Sequence, residues 1–256
     1  MNNRTIQYLR PETLGGALDI KREFGAKAKF LFGGNFKPTV DEAIEVLIDL
    51  QNTPLDMFVW DDEGFHIGGL VTLGALAEGL ELPDFNAALS IEFGLNVRNS
   101  LSISNYLAQA NGRSPILCCL LALKAEVFTL ADDEPIPLLE YLRNAKKDDL
   151  VVELNIPGTD NLVFDTVGRS PKDLPIVCVA ASKISEDEIC VAVGGTAEVK
   201  DSFTIVDFDD DGLAKIEAAF EGATDGWASA EYRQDVSKIL LSRVLQKLQL
   251  QTRNEE

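Results

Sequence analysis

The chain has 256 residues, with 23 Lys and Arg against 42 Asp and Glu, and so a formal charge of −19. Hydrophobic residues make up 46% and charged residues 25%, which supplies a sizeable core for one or two folded units. Polyanion binding needs clustered Lys and Arg, so the acidic excess argues against nucleic acid or an anionic membrane as partner.

Taken in chain order, short strands alternate with amphipathic helices. The opening MNNRTIQYLRPETL lacks the apolar h-region of a secretory signal. Residues 13–24 read as a helix capped by Thr13, with Leu14, Ala17, Leu18, Ile20 and Phe24 mostly at helical spacing. A short strand over 29–32 runs into Gly33-Gly34-Asn35, and 45–50 form a second buried strand. Residues 65–67 lead through Gly68-Gly69 into a helix over 71–79. An apolar stretch at 87–93 is followed by a polar, loop-like 98–106. A hydrophobic helix occupies 114–123, with Pro115 in its first turn. Its apolar run, 116–123, is far short of the ~20 residues that cross a bilayer. Strand resumes at 125–130, a short helix covers 138–143, and 150–156 alternate as a half-buried strand before Pro157-Gly158.

Beyond that break, 161–167, 189–193 and 202–206 read as three strands. They are interleaved with an apolar segment, 174–184, and a helix, 212–220. A last helix over 229–248 carries Val236, Ile239, Leu240, Val244, Leu245 and Leu248 on one face, and 251–256 should fray. The expected division is 1–157, with subdomains of about 1–53 and 54–157, then 158–250 and the tail.

Few residues announce chemistry on their own. The single histidine, His66, sits between Phe65 and Ile67 and reads as a structural imidazole. Cys118, Cys119, Cys178 and Cys190 lie among apolar neighbours, form no CxxC pair and read as buried thiols of a reducing cytoplasm. The acidic runs 61–63 and 207–211 lack the spacing of a calcium loop and read as solvated turns. Gly33-Gly34 after a strand allows backbone N–H groups to approach a phosphate, but such a turn is common, and no GxGxxG or GxxxxGK[ST] is present.

The order of segments is more specific than any one of them. YLRPETLGGAL, KFLFGGNFKP, HIGGLVTLGAL, VRNSLSISNYLAQANGRSPILCCLLALKAEV, VGRSPKDLPIVCVAA, ICVAVGGTAE and SAEYRQDVSKILLSRVL follow one another from Tyr8 to about Leu248. In content and order this resembles the FAD-binding medium subunit of the molybdenum hydroxylases, the family of aerobic carbon monoxide dehydrogenase and xanthine dehydrogenase. The resemblance implies an α+β, PCMH-type FAD-binding fold. Two small amino-terminal subdomains would be followed by a carboxy-terminal three-stranded antiparallel sheet with helices.

It also implies a hetero-oligomer with a molybdopterin-binding large subunit and a 2Fe-2S small subunit. The medium subunit would pass electrons from the 2Fe-2S centres through FAD to an external acceptor. By the same resemblance, Leu31, Phe32, Gly33, Gly34, Asn35 and Phe36 form a first flavin loop. Ser102, Ser104 and Asn105 form the second, and Asp173 of the VGRSPKDLP segment joins the cofactor set. The second loop departs from the family's G-T-I-G-G-N. Leu101 stands at the first glycine, Ser102 at the threonine, Ser104-Asn105 at the glycine pair and Tyr106 at the asparagine. Pro115 replaces a frequent Asp, and Asp165 and Thr166 stand where a basic residue is common. Two expectations follow: a flavoprotein whose serines and asparagine bind the diphosphate by hydrogen bonding, or a flavin-free structural, docking or assembly protein of the same fold.

Overall fold

The computed structural model describes residues 5–32, 43–132, 134–144, 150–157, 161–171, 173–185, 188–196, 204–207 and 211–254. Three sheets order the chain. The first is parallel, β1 (Gln7–Leu9), β3 (Val46–Asp49) and β2 (Ala28–Leu31) in that spatial order, with the crossover made by helix α1 (Leu14–Phe24). Thr13 caps α1 by accepting the Gly16 N–H at 3.1 Å, as its position before the apolar pattern predicts.

The second sheet is antiparallel and has five strands. Its order is β4 (Phe58–Asp61), β5 (Gly64–Gly68), β8 (Val151–Ile156), β6 (Glu126–Thr129) and β7 (Ile136–Pro137). Between β5 and β8 the chain forms α2 (Leu73–Leu80), α3 (Pro83–Glu92), α4 (Leu95–Arg98), α5 (Ile103–Gln109), α6 (Pro115–Ala122) and α7 (Leu138–Asn144), of which α5 packs on β8 and α7 on β6 and β7. The segment 98–106, expected as loop, instead turns into α5 at Ile103. Ser102 adopts extended backbone and its hydroxyl accepts the Asn105 N–H, while Ile103 and Leu107 are buried.

The third sheet contains the three expected strands, β9 (Leu162–Val167), β11 (Ile189–Gly194) and β12 (Thr204–Asp207), all antiparallel. A fourth joins them: the apolar stretch within 174–184 is β10 (Val177–Lys183), paired between β9 and β11. Its alternation was hidden because both faces are covered. Val177, Val179 and Ala181 pack with Leu240, Leu241 and Val244 of the last helix, α9 (Ala230–Asn254). Cys178 and Ala180 face the other way, into the core that holds α6. The remaining helix, α8 (Gly212–Ala218), packs against α9 and β12, and α9 runs six residues beyond its expected end.

Helix α6 is the centre of the molecule, and each of its eight residues is buried. One side meets α3, the other meets β10 and β11, and the Cys118 thiol donates to Ala192 O at 3.3 Å. A helix covered on every side has no use for a polar face, which accounts for the sequence PILCCLLA. All four cysteines are free and buried, as their apolar surroundings predict.

The glycine pairs serve different ends. Gly195 has φ +93°, a conformation that disfavours a side chain, and an added Cβ would lie 2.6 Å from Ile176 O. Gly68 and Gly69 are required by close packing instead, because a Cβ would come within 2.2 Å of Leu55 O in the first and of Ser104 Oγ in the second.

Candidate functional site

Strand β2 ends at Leu31 and delivers Phe32 to the start of α5. There the Ser102 hydroxyl donates to the Phe32 carbonyl at 2.7 Å, so the described ends of the two expected flavin loops meet. Gly33, Gly34, Asn35 and Phe36 lie outside the described residues. Leu31 and Phe32 are half-buried, and the Phe32 ring stands 6.4 Å from that of Phe30.

The second loop is closely bonded to the protein around it. The first four N–H groups of a helix lack partners within the helix itself. In α5 the Ile103 N–H goes to Val71 O and the Ser104 N–H to Gly69 O, both at 2.9 Å. The Asn105 N–H goes to Ser102 Oγ at 3.3 Å and the Tyr106 N–H to Ser102 O at 2.8 Å. The Ser104 hydroxyl donates to Val151 O. The Asn105 carboxamide accepts from Gln109 Nε2 at 2.8 Å. Ser102, Ser104 and Asn105 keep only 2%, 4% and 0% of their surface exposed. Tyr106 turns its ring into the core, edge-on to Phe93 at 6.0 Å.

A diphosphate draws its bonds from N–H and O–H donors that have no other acceptor. At the second loop the N–H groups of the first turn and both serine protons already have acceptors in the protein. As the second loop stands, these donors are spent within the protein. Asp173 lies in another turn, where its N–H bonds Ser170 O at 3.2 Å and its carboxylate pairs with Arg169 at 3.5 Å.

Three further arrangements were not foreseen from residue types. A hydrogen-bonded chain runs from Tyr106 through Ser114 to Glu92: the Tyr106 hydroxyl meets Ser114 Oγ at 2.5 Å, and Ser114 donates to Glu92 Oε2 at 2.5 Å. Burial pushes the Glu92 carboxyl up to about 7, against the opposing effect of the Ser114 hydroxyl and the Ile116 N–H. Burial also pushes the Tyr106 hydroxyl well above its ordinary value. Ser114 before Pro115 is a readable cap for α6; Glu92, 22 residues upstream, gives no sequence signal.

The second arrangement is a buried ionic hub. Asp225 binds Arg113 and, at 2.8 Å, Arg233, guanidiniums whose side chains are 2% and 0% exposed. Desolvation opposes ionisation of Asp225, but the N–H groups of Trp227 and Ala228 and the Arg233 charge outweigh it, holding the carboxyl down to about 2. Trp227 is sandwiched between Arg113 at 4.3 Å and Arg169 at 4.0 Å from its ring.

The third involves His66, whose ring bonds Glu153 at 2.8 Å and lies 3.3 Å from Asp61, joining β4, β5 and β8. The hydrogen bond to Glu153 raises its pKa, which desolvation opposes and the Asp61 charge supports. Among the described residues no group of three His, Cys, Asp or Glu side chains is placed to hold a metal. No described helix is long and apolar enough to cross a membrane.

Residues 4–159 match the model of the family described as the FAD binding domain in molybdopterin dehydrogenase. A curated relative, the uncharacterized protein YgfM of Escherichia coli K12, is 29% identical over 196 residues, 75% of this chain and 74% of its own length. Among solved structures, a chain of quinoline 2-oxidoreductase from Pseudomonas putida 86 matches with TM-score 0.70 at 18% identity, covering 97% of this chain and 98% of the other. One from reconstituted CO dehydrogenase of Oligotropha carboxidovorans matches with TM-score 0.72 at 18% identity, covering 97% and 99%. At these identities the structures speak for the fold, which is the α+β arrangement expected from the order of segments.

Proposed function

We propose, since the chain belongs to the FAD-binding-domain family of molybdopterin dehydrogenases, that it is the medium, non-substrate-binding subunit of a molybdopterin-containing oxidoreductase in the cytoplasm. It would dock with a molybdopterin large subunit and a 2Fe-2S small subunit. The second loop would serve as a structural latch and not as a phosphate cradle. The observation that carries this reading is the complete internal bonding of the first turn of α5, from Val71 O, Gly69 O and Ser102 on one side to Phe32 O on the other. In this role Ser102 ties β2 to α5, and Ser104 ties α5 to β8.

A second reading is favoured by the family match across residues 4–159. In it the chain holds FAD and relays electrons from the partner's 2Fe-2S centres to an external acceptor. Bound FAD would supply the step from one-electron to two-electron transfer. Leu31 to Phe36, Ser102, Ser104, Asn105 and Asp173 would then surround it, after the second loop had exchanged internal bonds for bonds to phosphate.

An absorption spectrum of the purified protein, followed by heat release and assay of FAD, separates the two. The latch reading expects a colourless chain that takes up no added FAD. About one FAD per chain would overturn it in favour of the relay. Stoichiometric copurification with the other two subunits supports a subunit; a chain that purifies alone and releases its partner is an assembly factor instead.

A further inference from the structure

A cavity of about 380 Å³ opens beside α3, α4 and α5. Its walls are mostly apolar, from Phe93, Val97, Leu101, Tyr106, Ala110 and Leu174. Glu92 also lines it. Gln109 and Asn111 complete the polar lining; this volume suits a small organic molecule, and a mostly apolar wall with a few polar groups is the usual composition of a ligand pocket.

Glu92 is the charged group among the residues that line the cavity. Ser114 gives its single proton to Glu92, so Tyr106 must donate to Ser114, and the chain of donors ends on the carboxylate. Glu92 is the last residue of α3, and Gln109, the last residue of α5, lines the same cavity. Helix carboxyl ends carry partial negative charge and favour cations. No Lys or Arg pairs with Glu92 among the described residues, and the whole chain carries −19. Part of the role of Glu92 is structural, because Ser114 also caps α6 through the Leu117 N–H at 3.1 Å. Glu92 also accepts the Ile116 N–H at the start of α6, yet its carboxyl lines the cavity with no cationic partner among the described residues.

We propose that this cavity binds a small, largely apolar organic cation, an amine or amidine whose N–H groups bond Glu92 while its hydrocarbon part fills the space against Phe93, Val97 and Leu101. The site lies at the carboxyl end of α5, whereas the latch closes its amino end, so the proposal does not depend on whether the chain carries FAD.

The test is calorimetric titration of the full-length chain with benzamidinium chloride, and with benzamide as its neutral counterpart. Benzamidinium should bind saturably and at least about tenfold more tightly than benzamide. Glu92→Gln keeps an acceptor for Ser114 and should lose about tenfold or more of that affinity. Ala110→Leu leaves Glu92 in place, fills part of the cavity and should weaken both compounds; it decides the matter if Glu92→Gln does not fold. Absence of saturable binding up to about 10 mM, equal affinity for the two compounds, or unchanged affinity in both variants overturns the proposal.

Discussion

Asp225→Asn removes the one carboxylate shared by Arg113 and Arg233 while keeping the shape of the side chain. Arg233 would retain carbonyl acceptors at Ile176, Ala223 and Ala228. Arg113 would not, because its Nε and Nη1 already lack hydrogen-bond partners and only the Trp227 face remains. Breaking a buried pair by removing one partner costs about 3–5 kcal/mol, since the other charge stays buried and uncompensated. The Asp225 side chain is 29% exposed, and screening by water puts the expected loss near the lower end, about 3 kcal/mol. The assay is urea unfolding followed by tryptophan fluorescence, comparing midpoints at constant slope. Arg113→Met provides the control, because an apolar side chain of similar length removes the buried charge together with its unpaired donors. That variant should be close to neutral, and Asp225→Asn made in its background should cost about 1 kcal/mol less than in the native chain, or lower still. A loss under about 1 kcal/mol for Asp225→Asn alone, or the same loss in both backgrounds, refutes the assignment of Arg113 as a charge that depends on Asp225.

The same carboxylate gives an acid limb. With a folded value of about 2 against an ordinary 3.8, its contribution is complete above about 4 and disappears as pH falls towards 2; Asp225→Asn should flatten that part of the stability profile. His66 has the opposite sign. Its raised pKa means that its contribution is full below about 6.5 and lost as pH rises through the folded value. An NMR titration should place the imidazole above 6.5, and a value below it would remove Glu153 and Asp61 as stabilising partners. At Gly69 an added methyl would lie 2.2 Å from Ser104 Oγ and 2.3 Å from Val151 O. Gly69→Ala should therefore lower stability by about 1–3 kcal/mol, an effect that Ser104→Gly made with it should partly relieve; a neutral Gly69→Ala would mean that α5 is not latched to this turn.

Much of the fold was readable because local signals and burial agreed. Thr13 before an apolar pattern and Ser114-Pro115 before an apolar run both mark helix starts, and α1 and α6 begin there. Ser102 carried the same signal for α5, but Arg98, Asn99 and Ser100 beside it masked the start of the buried face. The central strand β10 gave no alternation, since α6 and α9 cover it on opposite sides. At the site, the resemblance named two loops but could not tell how their donors are spent. Serine at 102 and 104 reads equally well as a phosphate ligand or as a latch, and the difference lies in carbonyls at 32 and 151, far away in sequence. The pairing of Glu92 with Ser114 and of Arg113 with Asp225, 112 residues apart, depends on tertiary structure in the same way.

Helix α6 belongs to the amino-terminal part of the chain by sequence, yet β10 and β11 form the wall against one of its sides. Cys118, Leu121 and their neighbours would meet water if that wall were withdrawn. The two ends of the polypeptide should consequently exchange their amides with solvent at a common, global rate in this region and melt in one transition. Cutting the chain near Pro157 would not liberate two working modules. It would strip α6, buried at each of its eight residues, of the wall formed by β10 and β11 and yield an aggregation-prone fragment, so any rearrangement that joins this fold to other proteins must carry both parts together.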